Sequence, residues 1–348
     1  SVGSWEPCGY DDRHTSIEGF GHFHEFQIGG LVAMPTTGVL QTIPGTLENP
    51  DSGYRSRFDK KAEHTEPGYY SVFLKDYGIK AELTATERVG FHRYTFPETK
   101  ESRIIFDVGH RQGESSGVTE AIIRLSGKKE LVGSIETYPE YLKFCDPEKR
   151  VKMYFVIRLN KEAESFGAFS EAEVFKSQKD SKGTGNGMYL NFSTRKDEVV
   201  EMQVGLSYTS IENAKNNLLA EATGKTFDKV KNTAHQKWNE KLGRIQVEGK
   251  DSINKVKFYT GLYHALLGRG LASDTNGQYI QHNGKIGQIA LNSKGKPKYN
   301  HYNTDGIWGG FWNLGQLWAL AYPDYQSEYI QSNLDFAKET GWLHDGVA

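Results

Sequence analysis

Two histidines and a glutamate form the densest group of polar residues near the start of the chain, within residues 19–25. His22 and His24 are two positions apart, so in an extended segment both side chains point to one side, and Glu25 points to the other. Two histidines at this spacing can ligate a metal ion, but a third ligand is needed and the spacing indicates none. Metal binding, structural hydrogen bonding and substrate contact therefore all stay open for these residues.

A second polar group lies within residues 299–313 and combines amides, one carboxylate and two indole rings. Asp305, Trp308 and Trp312 offer hydrogen-bonding edges and flat apolar faces, which complement the surface of a sugar. The same residues also fit the start of a helix, with Thr304 or Asp305 as the cap and both tryptophans in the core. The residue types alone favour neither interpretation.

The first 208 residues show the period of two that is typical of β-strands. Apolar and polar residues alternate along several runs, which are 79–86, 151–159 and 200–208. Residues 76–78 separate the first of these runs from residues 70–74, which predicts a hairpin with one solvent-exposed face. The glycine-rich run 182–187 predicts a hairpin at the surface. Many strands without an intervening helical pattern predict antiparallel sheets that pack face to face.

The pattern changes to that of helices near residue 209. Thr209 and Glu212 are spaced as a capping box at the start of the first helix. Further helices are predicted over several ranges, which are 227–242, 253–267, 308–322 and 324–338. Pro323 separates the last two because proline is tolerated mainly in the first turn of a helix. The sequence therefore predicts a β-sandwich domain over residues 1–208, linker helices over 209–250, and a helical domain over 251–348.

Composition and charge argue against several classes of partner. Lys and Arg number 42 and Asp and Glu number 44, so the formal charge is −2 and provides no basic surface for nucleic acid. No stretch approaches the roughly 20 apolar residues that cross a bilayer, and the polar sequence after Ser1 lacks the pattern of a signal peptide. We therefore expect a soluble chain from which any export signal has been removed. Cys8 and Cys145 are not spaced for zinc and fit two independent thiols.

Four segments resemble the α-mannosidases of glycoside hydrolase family 92. They are IEGFGHFH at residues 17–24, MPTTG at 34–38, PGYYSVFL at 67–74, and IKAELTATERVGFHRYTFP at 79–97. The last is long and specific, and the resemblance extends from about residue 5 to residue 348. It implies an N-terminal antiparallel β-sandwich followed by the first helices of an (α/α)6 barrel that the sequence does not complete.

The resemblance also implies a chemistry, in which calcium assists the exo-hydrolysis of α-mannosides with inversion. The general acid, the general base and most calcium ligands are expected beyond Ala348, so we name no catalytic residue and expect this chain alone to be inactive. One departure from the family concerns the sugar site. The family often has Trp-Asp-Thr-Phe where this chain has Trp308-Gly309-Gly310-Phe311, so the carboxylate at the second position is absent. Either Asp305 replaces it or the substrate differs from mannose.

The function predicted from these observations is that of a secreted or periplasmic exo-α-mannosidase that acts on α-mannoside glycans. The residues predicted to contact or position the sugar are Trp5, His22, His24, Glu25, Asp305, Trp308 and Trp312. The remainder of the same polypeptide is an expected partner. A non-catalytic carbohydrate-binding or scaffold protein is the alternative that Gly309 favours, and a disaccharide phosphorylase would need a phosphate site, which the sequence does not indicate.

Overall fold

The chain divides into two compact units, Ser1–Lys231 and Asn232–Ala348. The computed structural model describes residues 14–23, 29–111, 117–139, 147–267, 270–303, 310 and 312–343. Several residues that the sequence singled out lie outside these ranges, namely Trp5, Cys8, His24, Glu25, Cys145, Asp305, Trp308 and Gly309. Among the described helices, none is long and apolar enough to cross a membrane.

The first unit is built from short strands as far as residue 207. The described strands are β1 (Ser16–Ile17), β2 (Phe20–Gly21), β3 (Val32–Thr36), β4 (Ser56–Arg57), β5 (His64–Glu66), β6 (Tyr69–Leu74), β7 (Ile79–Ala85), β8 (Val89–Phe96), β9 (Thr99–Asp107), β10 (Gly117–Leu125), β11 (Glu130–Tyr138), β12 (Val151–Leu159), β13 (Ser165–Ser170), β14 (Glu173–Lys176), β15 (Asp180–Gly183), β16 (Asn186–Thr194) and β17 (Glu198–Ser207). Short 3-10 turns cover Pro50–Ser52 and Lys60–Ala62.

Two antiparallel sheets make up the predicted sandwich. The larger has nine strands in the order β15-β10-β11-β12-β17-β8-β7-β6-β5, the smaller has six in the order β14-β13-β16-β9-β3-β2, and β1 pairs separately with β4. Their facing side chains form one core in which Phe96, Phe106, Phe155 and Phe192 are at most 1% exposed. The β-sandwich prediction is therefore confirmed, because period-two strands can bury their apolar faces only against a second layer.

The predicted hairpin joins β6 to β7, but its outer face is not uniformly exposed. Val72 pairs with Ala81, and Lys80 on the outer face is exposed as expected. Thr84 on that same face is buried and donates from Oγ1 to the Gly68 carbonyl oxygen. Its cross-strand partner Tyr69 packs against Phe227 of a following helix. The prediction of one solvent-exposed face is thus wrong at this end, because helices cover the sheet there.

The glycine-rich run 182–187 connects the two sheets and does not form the predicted surface hairpin. β15 pairs with β10 in the larger sheet, whereas β16 lies in the smaller one. Gly183 and Gly185 have φ values of +129° and +61°, which favour glycine. A Cβ at Gly185 would also stand 2.0 Å from Oε1 of Glu171. The prediction was wrong because composition marks a turn without saying which strands it joins.

Two helices, α1 (Ile211–Ala222) and α2 (Phe227–Leu242), follow the last strand of the sandwich. The predicted capping box is wrong by one residue, since Ser210 caps α1 and its Oγ accepts from the amide of Asn213 at 3.0 Å. Thr209 is buried, and its Oγ1 accepts from the side-chain amide of Asn213 at 2.7 Å. The Thr209 hydroxyl therefore binds a side chain and not the helix backbone, and the next residue, Ser210, caps α1.

The helix α1 lies on the outer face of the nine-stranded sheet. Ala214, Leu218 and Ala222 join one buried cluster with apolar residues of the sheet, which are Tyr69, Val89, Phe91, Val132 and Val156. Gly205 allows the close approach, because a Cβ there would stand 2.4 Å from the Ala214 carbonyl oxygen. Phe227 and Val230 from the start of α2 complete the cluster.

A carboxylate fastens α1 to the turn between β7 and β8. Glu221 Oε2 accepts from the Thr86 hydroxyl at 2.5 Å and from the Arg88 amide at 2.9 Å. Its Oε1 accepts from the Arg88 guanidinium at 2.9 Å. The helix is therefore held on the sheet by polar contacts at its end as well as by apolar packing.

The second unit is mainly helical among its described residues. Its elements are α3 (Ser252–Leu266), β18 (Gln278–Ile280), β19 (Ile286–Gln288), α4 (Leu314–Ala321) and α5 (Pro323–Thr340), with the last part of α2. Leu262, Trp318, Tyr322 and Tyr329 form its buried cluster. Pro323 lies at the predicted break between the last two helices and is the first residue of α5, and Gly341 ends that helix at a φ of +83°.

The apolar residues along the helix predicted over 253–267 are not all buried in α3. Ile253 and Val256 are 64% and 66% exposed, whereas Leu262 is 5% exposed. The buried contact is made by the C-terminal half of α3 alone. Periodicity predicts an apolar face but does not show how much of that face is covered.

Candidate functional site

His22 lies just after β2 and is buried in the sandwich, where it begins a chain of three polar side chains. Its Nδ1 lies 3.1 Å from the Leu31 carbonyl oxygen, and its Nε2 lies 2.9 Å from Nε2 of His92. Nδ1 of His92 lies 2.7 Å from the hydroxyl of Tyr94. These three side chains, His22, His92 and Tyr94, are called the histidine chain below.

The Leu31 carbonyl oxygen can only accept a hydrogen bond, and this determines which atom donates in each hydrogen bond of the histidine chain. The Leu31 carbonyl requires a proton on Nδ1 of His22, so Nε2 of neutral His22 accepts from Nε2 of His92. Nδ1 of His92 then accepts from the Tyr94 hydroxyl. Burial lowers the pKa of His22 to about 4, although the Leu31 carbonyl opposes this, and burial with the neighbouring His22 lowers that of His92 well below its ordinary value.

Local sequence explains how the chain is built. His92 and Tyr94 are two positions apart on β8, so both side chains point to the same side of the sheet. Phe20 of β2 stacks on Tyr94 with ring centres 6.1 Å apart and closes the apolar surroundings. His92 and Tyr94 belong to the longest of the family-like segments, but sequence reasoning did not identify them as a site. Their period-two spacing was the signal available.

A second polar group in the first unit surrounds Asp107 at the end of β9. Asp107 is 2% exposed, and its Oδ2 accepts from the Tyr54 hydroxyl at 2.7 Å and faces Nδ1 of His110 at 2.7 Å. Its Oδ1 accepts from the amides of Gly109 and His110. Nε2 of His110 lies 3.3 Å from Oε2 of Glu171. Sequence reasoning missed this group because its members are distant along the chain.

His110 lies between two carboxylates. Burial, the largest single influence, acts to lower its pKa, but the hydrogen bonds and charges of Asp107 and Glu171 together raise it above the ordinary value. A protonated imidazole donates from both nitrogens, so the charged form suits both partners. The arrangement joins the end of β9 to the turn after β13, with Asp107 buried and the Glu171 side chain 68% exposed.

In the second unit, residues 299–302 meet the polar face of α5. The Tyr299 hydroxyl donates to Oδ2 of Asp335 at 2.7 Å, and the Tyr302 hydroxyl donates to Oε2 of Glu328 at 2.9 Å. The His301 ring stacks on Tyr279 with centres 4.0 Å apart. This group forms the first part of residues 299–313, and the predicted sugar contacts in that range begin at Asp305.

Of the seven predicted sugar residues, the structure describes His22 and Trp312. Both ring nitrogens of His22 are engaged inside the sandwich. Trp312 is 75% exposed and stands two residues before α4. The alternative in which Trp312 belongs to the helical core does not fit this exposure.

The family resemblance implies calcium with most of its ligands beyond Ala348, and the described residues were compared with the grouping that a metal site needs. No three His, Cys, Asp or Glu side chains within the described ranges are grouped so that they could hold a metal ion. His22 uses both of its nitrogens in hydrogen bonds, which leaves it no lone pair for a metal. No step of the chemistry is therefore assigned to calcium through these residues.

Comparison with known families matches nearly the whole chain. Residues 2–207 match the model of the glycosyl hydrolase family 92 N-terminal domain, and residues 213–348 match that of the family 92 catalytic domain. The chain belongs to glycosyl hydrolase family 92. The family resemblance in the four sequence segments is thus confirmed, and the change from strands to helices coincides with the change of domain model.

The solved structures and the curated relative that this family 92 chain resembles are described as glycosidases. A family GH92 alpha-mannosidase from Bacteroides thetaiotaomicron matches 95% of the chain and 44% of its own length, at 25% identity and a TM-score of 0.86. That protein is also known in complex with mannoimidazole, where the TM-score is 0.85. An uncharacterized secreted glycosidase of Arthroderma benhamiae is 26% identical over 295 residues, which are 76% of this chain and 37% of that protein.

The family 92 chain therefore spans less than half the length of these relatives. Its fold is that of its structural neighbours, an N-terminal antiparallel β-sandwich followed by the first helices of an α/α barrel.

Proposed function

We propose that the protein is an exo-α-mannosidase that removes mannose from α-mannoside glycans with inversion. The observation that carries this proposal is the structural likeness, over 95% of the chain, to a family 92 alpha-mannosidase known in complex with mannoimidazole. Inversion requires two carboxyl groups about 6.5–9.5 Å apart, with room for the attacking water between them. We assign neither group to a residue of this chain.

The predicted sugar residues receive two different roles in this proposal. Trp312 contacts the sugar, because its exposed indole face can stack on the C–H face of a pyranose. His22 positions the segment that follows it, because both of its ring nitrogens are already engaged. Trp5, His24, Glu25, Asp305 and Trp308 are proposed as further sugar contacts or positioning residues.

Calcium is proposed as the cofactor of the complete active site, with ligands other than the described residues of this chain. Calcium would stabilise negative charge and orient the sugar hydroxyl groups when bound. A secreted or periplasmic location is proposed, and the relative described as a secreted glycosidase supports it.

We predict that these 348 residues alone release no mannose. The test incubates the chain and the full-length gene product with an aryl α-mannoside in the presence of calcium and measures released mannose. We expect turnover by the full-length protein only. Turnover by the 348-residue chain at a similar rate would show that its own residues include the acid and the base.

A non-catalytic carbohydrate-binding protein is the second candidate, and Gly309 favours it. The family often carries an aspartate at that position, so the contact with the terminal sugar differs here. The same experiment separates the two functions. Binding of mannose without hydrolysis by the full-length protein would favour the second candidate.

A further inference from the structure

A cavity of about 430 Å³ lies beside the turn between β10 and β11 in the first unit. Residues 126–130 form most of its lining, and Arg158 and Leu159 at the end of β12 complete it. The volume is typical of small-molecule sites, which enclose about 300–1,000 Å³ and are lined mainly by apolar side chains. Here the side chains of Lys128, Lys129 and Arg158 bring positive charge to the lining instead. This space is called the β10–β11 cavity below.

The acidic side chain in the lining, Glu130, is already balanced by cations. Its Oε2 accepts from Nη2 of Arg158 at 3.4 Å, and Nζ of Lys215 on α1 lies 3.2 Å from its Oε1. Oε2 of Glu162 lies 3.6 Å from Nζ of Lys128, but both side chains of this pair are more than half exposed, where an ion pair contributes little. The surroundings of the cavity therefore keep an excess of positive charge.

Several hydrogen-bond donors of the lining have no acceptor in the part of the chain that the structure describes. Nε and Nη1 of Arg158 have none. Neither do the amides of Gly127, Lys128 and Lys129. Lys129 uses one of its three ammonium protons on the Asn160 carbonyl oxygen at 2.9 Å. A Cβ at Gly127 would meet nothing within 4 Å, so the backbone there is open. Positive charge together with unpaired N–H groups is the combination that binds phosphate and sulfate.

Backbone hydrogen bonds hold this turn in one shape. The Ser126 amide donates to the Glu130 carbonyl oxygen at 2.8 Å, and the Leu159 amide donates to the Lys129 carbonyl oxygen at 2.9 Å. Leu159 is 3% exposed and belongs to the core between the two sheets. The donors are thus carried by a turn that is already ordered, so a ligand does not have to fix the backbone when it binds.

We propose that the β10–β11 cavity binds a tetrahedral oxyanion, which is a phosphate or sulfate group, either as the free ion or as part of a larger molecule. The guanidinium of Arg158 can donate two parallel N–H bonds to such a group, whereas Lys128 and Lys129 act as point charges. The inference goes beyond the proposed function, because nothing in it depends on the hydrolysis of a mannoside. It concerns binding of the group and not its transfer.

The test measures dissociation constants of the full-length protein for inorganic phosphate, sulfate and glycerol phosphate by titration calorimetry, with sodium chloride added to keep the ionic strength constant. Lys129→Gln and Arg158→Gln each remove one cation from the cavity. Lys196→Gln is the matched control, because it removes a lysine charge from the exposed turn between β16 and β17. We expect the dissociation constant to rise about fivefold or more in the first two variants and less than about twofold in the control.

Two results would overturn the inference, namely no binding of any of the three probes by the wild type, or equal dissociation constants in the cavity variants and the control. Lys129→Gln decides the case in which Arg158→Gln does not fold, since the Lys129 side chain contacts the carbonyl oxygen of exposed Asn160 only. Tighter binding of glycerol phosphate than of inorganic phosphate supports the site and identifies a group carried on a larger molecule. The reverse order supports the site and identifies the free ion.

Hydrogen exchange shows where the anion binds and needs no enzymatic activity. We expect phosphate to slow exchange in a peptide that covers residues 124–131 of the full-length protein, and to do so much less in Lys129→Gln. Slower exchange throughout the protein, equal in both proteins, would be the general stabilising effect of such salts and would count against the site. A full-length protein without mannosidase activity leaves these binding results unchanged and overturns only the proposed function.

Discussion

The Nε2 atoms of His22 and His92 lie 2.9 Å apart, so one of these two nitrogens carries a proton and the other does not. The Leu31 carbonyl decides which, because it requires the proton of His22 on Nδ1. Protonation of His22 at Nε2 would place two N–H groups against each other in a buried site. The histidine chain is therefore compatible with neutral imidazoles only.

The first prediction concerns the pH dependence of stability. The pKa of His22 is lowered to about 4 in the folded state, so as pH falls the unfolded state takes up a proton near its ordinary value of 6.5 and the folded state does not. We expect His22 to reduce the free energy of unfolding by on the order of 2–3 kcal/mol between pH 7 and pH 4.5.

Urea denaturation of wild type and His22→Gln across this range measures the effect. The free energy of unfolding of the variant should depend less on pH. The carboxylates that titrate in the same pH range are present in both proteins. Parallel pH dependences would contradict the assignment of a neutral, buried His22.

The second prediction concerns the far end of the histidine chain. Tyr94→Phe removes the hydroxyl that donates to Nδ1 of His92 and leaves a buried acceptor unsatisfied. We expect a loss of about 1–3 kcal/mol in the free energy of unfolding. Tyr154→Phe on β12 is the control, because this ring is only partly buried and the expected change is within about 0.5 kcal/mol. Equal effects from both variants would argue against a hydrogen bond at His92.

The third prediction concerns His110, whose folded pKa is raised by its two carboxylate neighbours against the effect of burial. Stability from this group is present below the ordinary pKa of the unfolded state and is lost as pH rises through the higher folded pKa. His110→Gln should cost about 2 kcal/mol at pH 5.5, on the scale of hydrogen bonds to charged groups. The cost should shrink towards pH 8.5. A cost that is constant with pH would mean that His110 is neutral throughout.

The fourth prediction concerns the contact between α1 and the sheet. Gly205→Ala places a methyl group 2.4 Å from the Ala214 carbonyl oxygen and 2.6 Å from Cβ of Leu218. The helix must then shift outward, and we expect a loss of about 1–3 kcal/mol from overpacking. Gly117→Ala on β10 is the control, since nothing lies within 4 Å of a Cβ there. Thermal unfolding of both variants decides whether the approach at Gly205 is as close as the structure indicates.

The spacing of apolar residues, with a period of two along strands and about 3.6 along helices, was enough to predict the sandwich and the helices that follow it. Phe227–Leu242 forms a helix with the predicted bounds, and Pro323 begins α5 as proline chemistry requires. These features depend on neighbours within a few residues. The boundary at Ser210 differed by one residue, because two adjacent hydroxyls can both cap a helix and a lateral contact of Thr209 decided between them.

The polar groups of the candidate site could not be predicted in the same way. His22 and His92 are 70 positions apart in the sequence. Asp107 ends β9 of the smaller sheet, whereas Glu171 lies in the turn after β13. Which strands become neighbours depends on the pairing of whole sheets, and the local patterns used to predict strands do not show that pairing. His22 was noticed for its sequence neighbour His24, whereas its contacts in the fold are with Leu31 and His92.

The cover that α1 provides determines where the sandwich can be cut for separate expression. A recombinant piece that stops at residue 207 would leave Val89, Phe91, Val132 and Val156, each at most 4% exposed in the fold, open to water. Such a patch invites self-association and aggregation. A piece that continues to Lys231 keeps α1, Phe227 and Val230 over those side chains and retains the Glu221 contacts. The smallest piece suited to crystallisation or binding assays therefore includes the first helix and the start of the second.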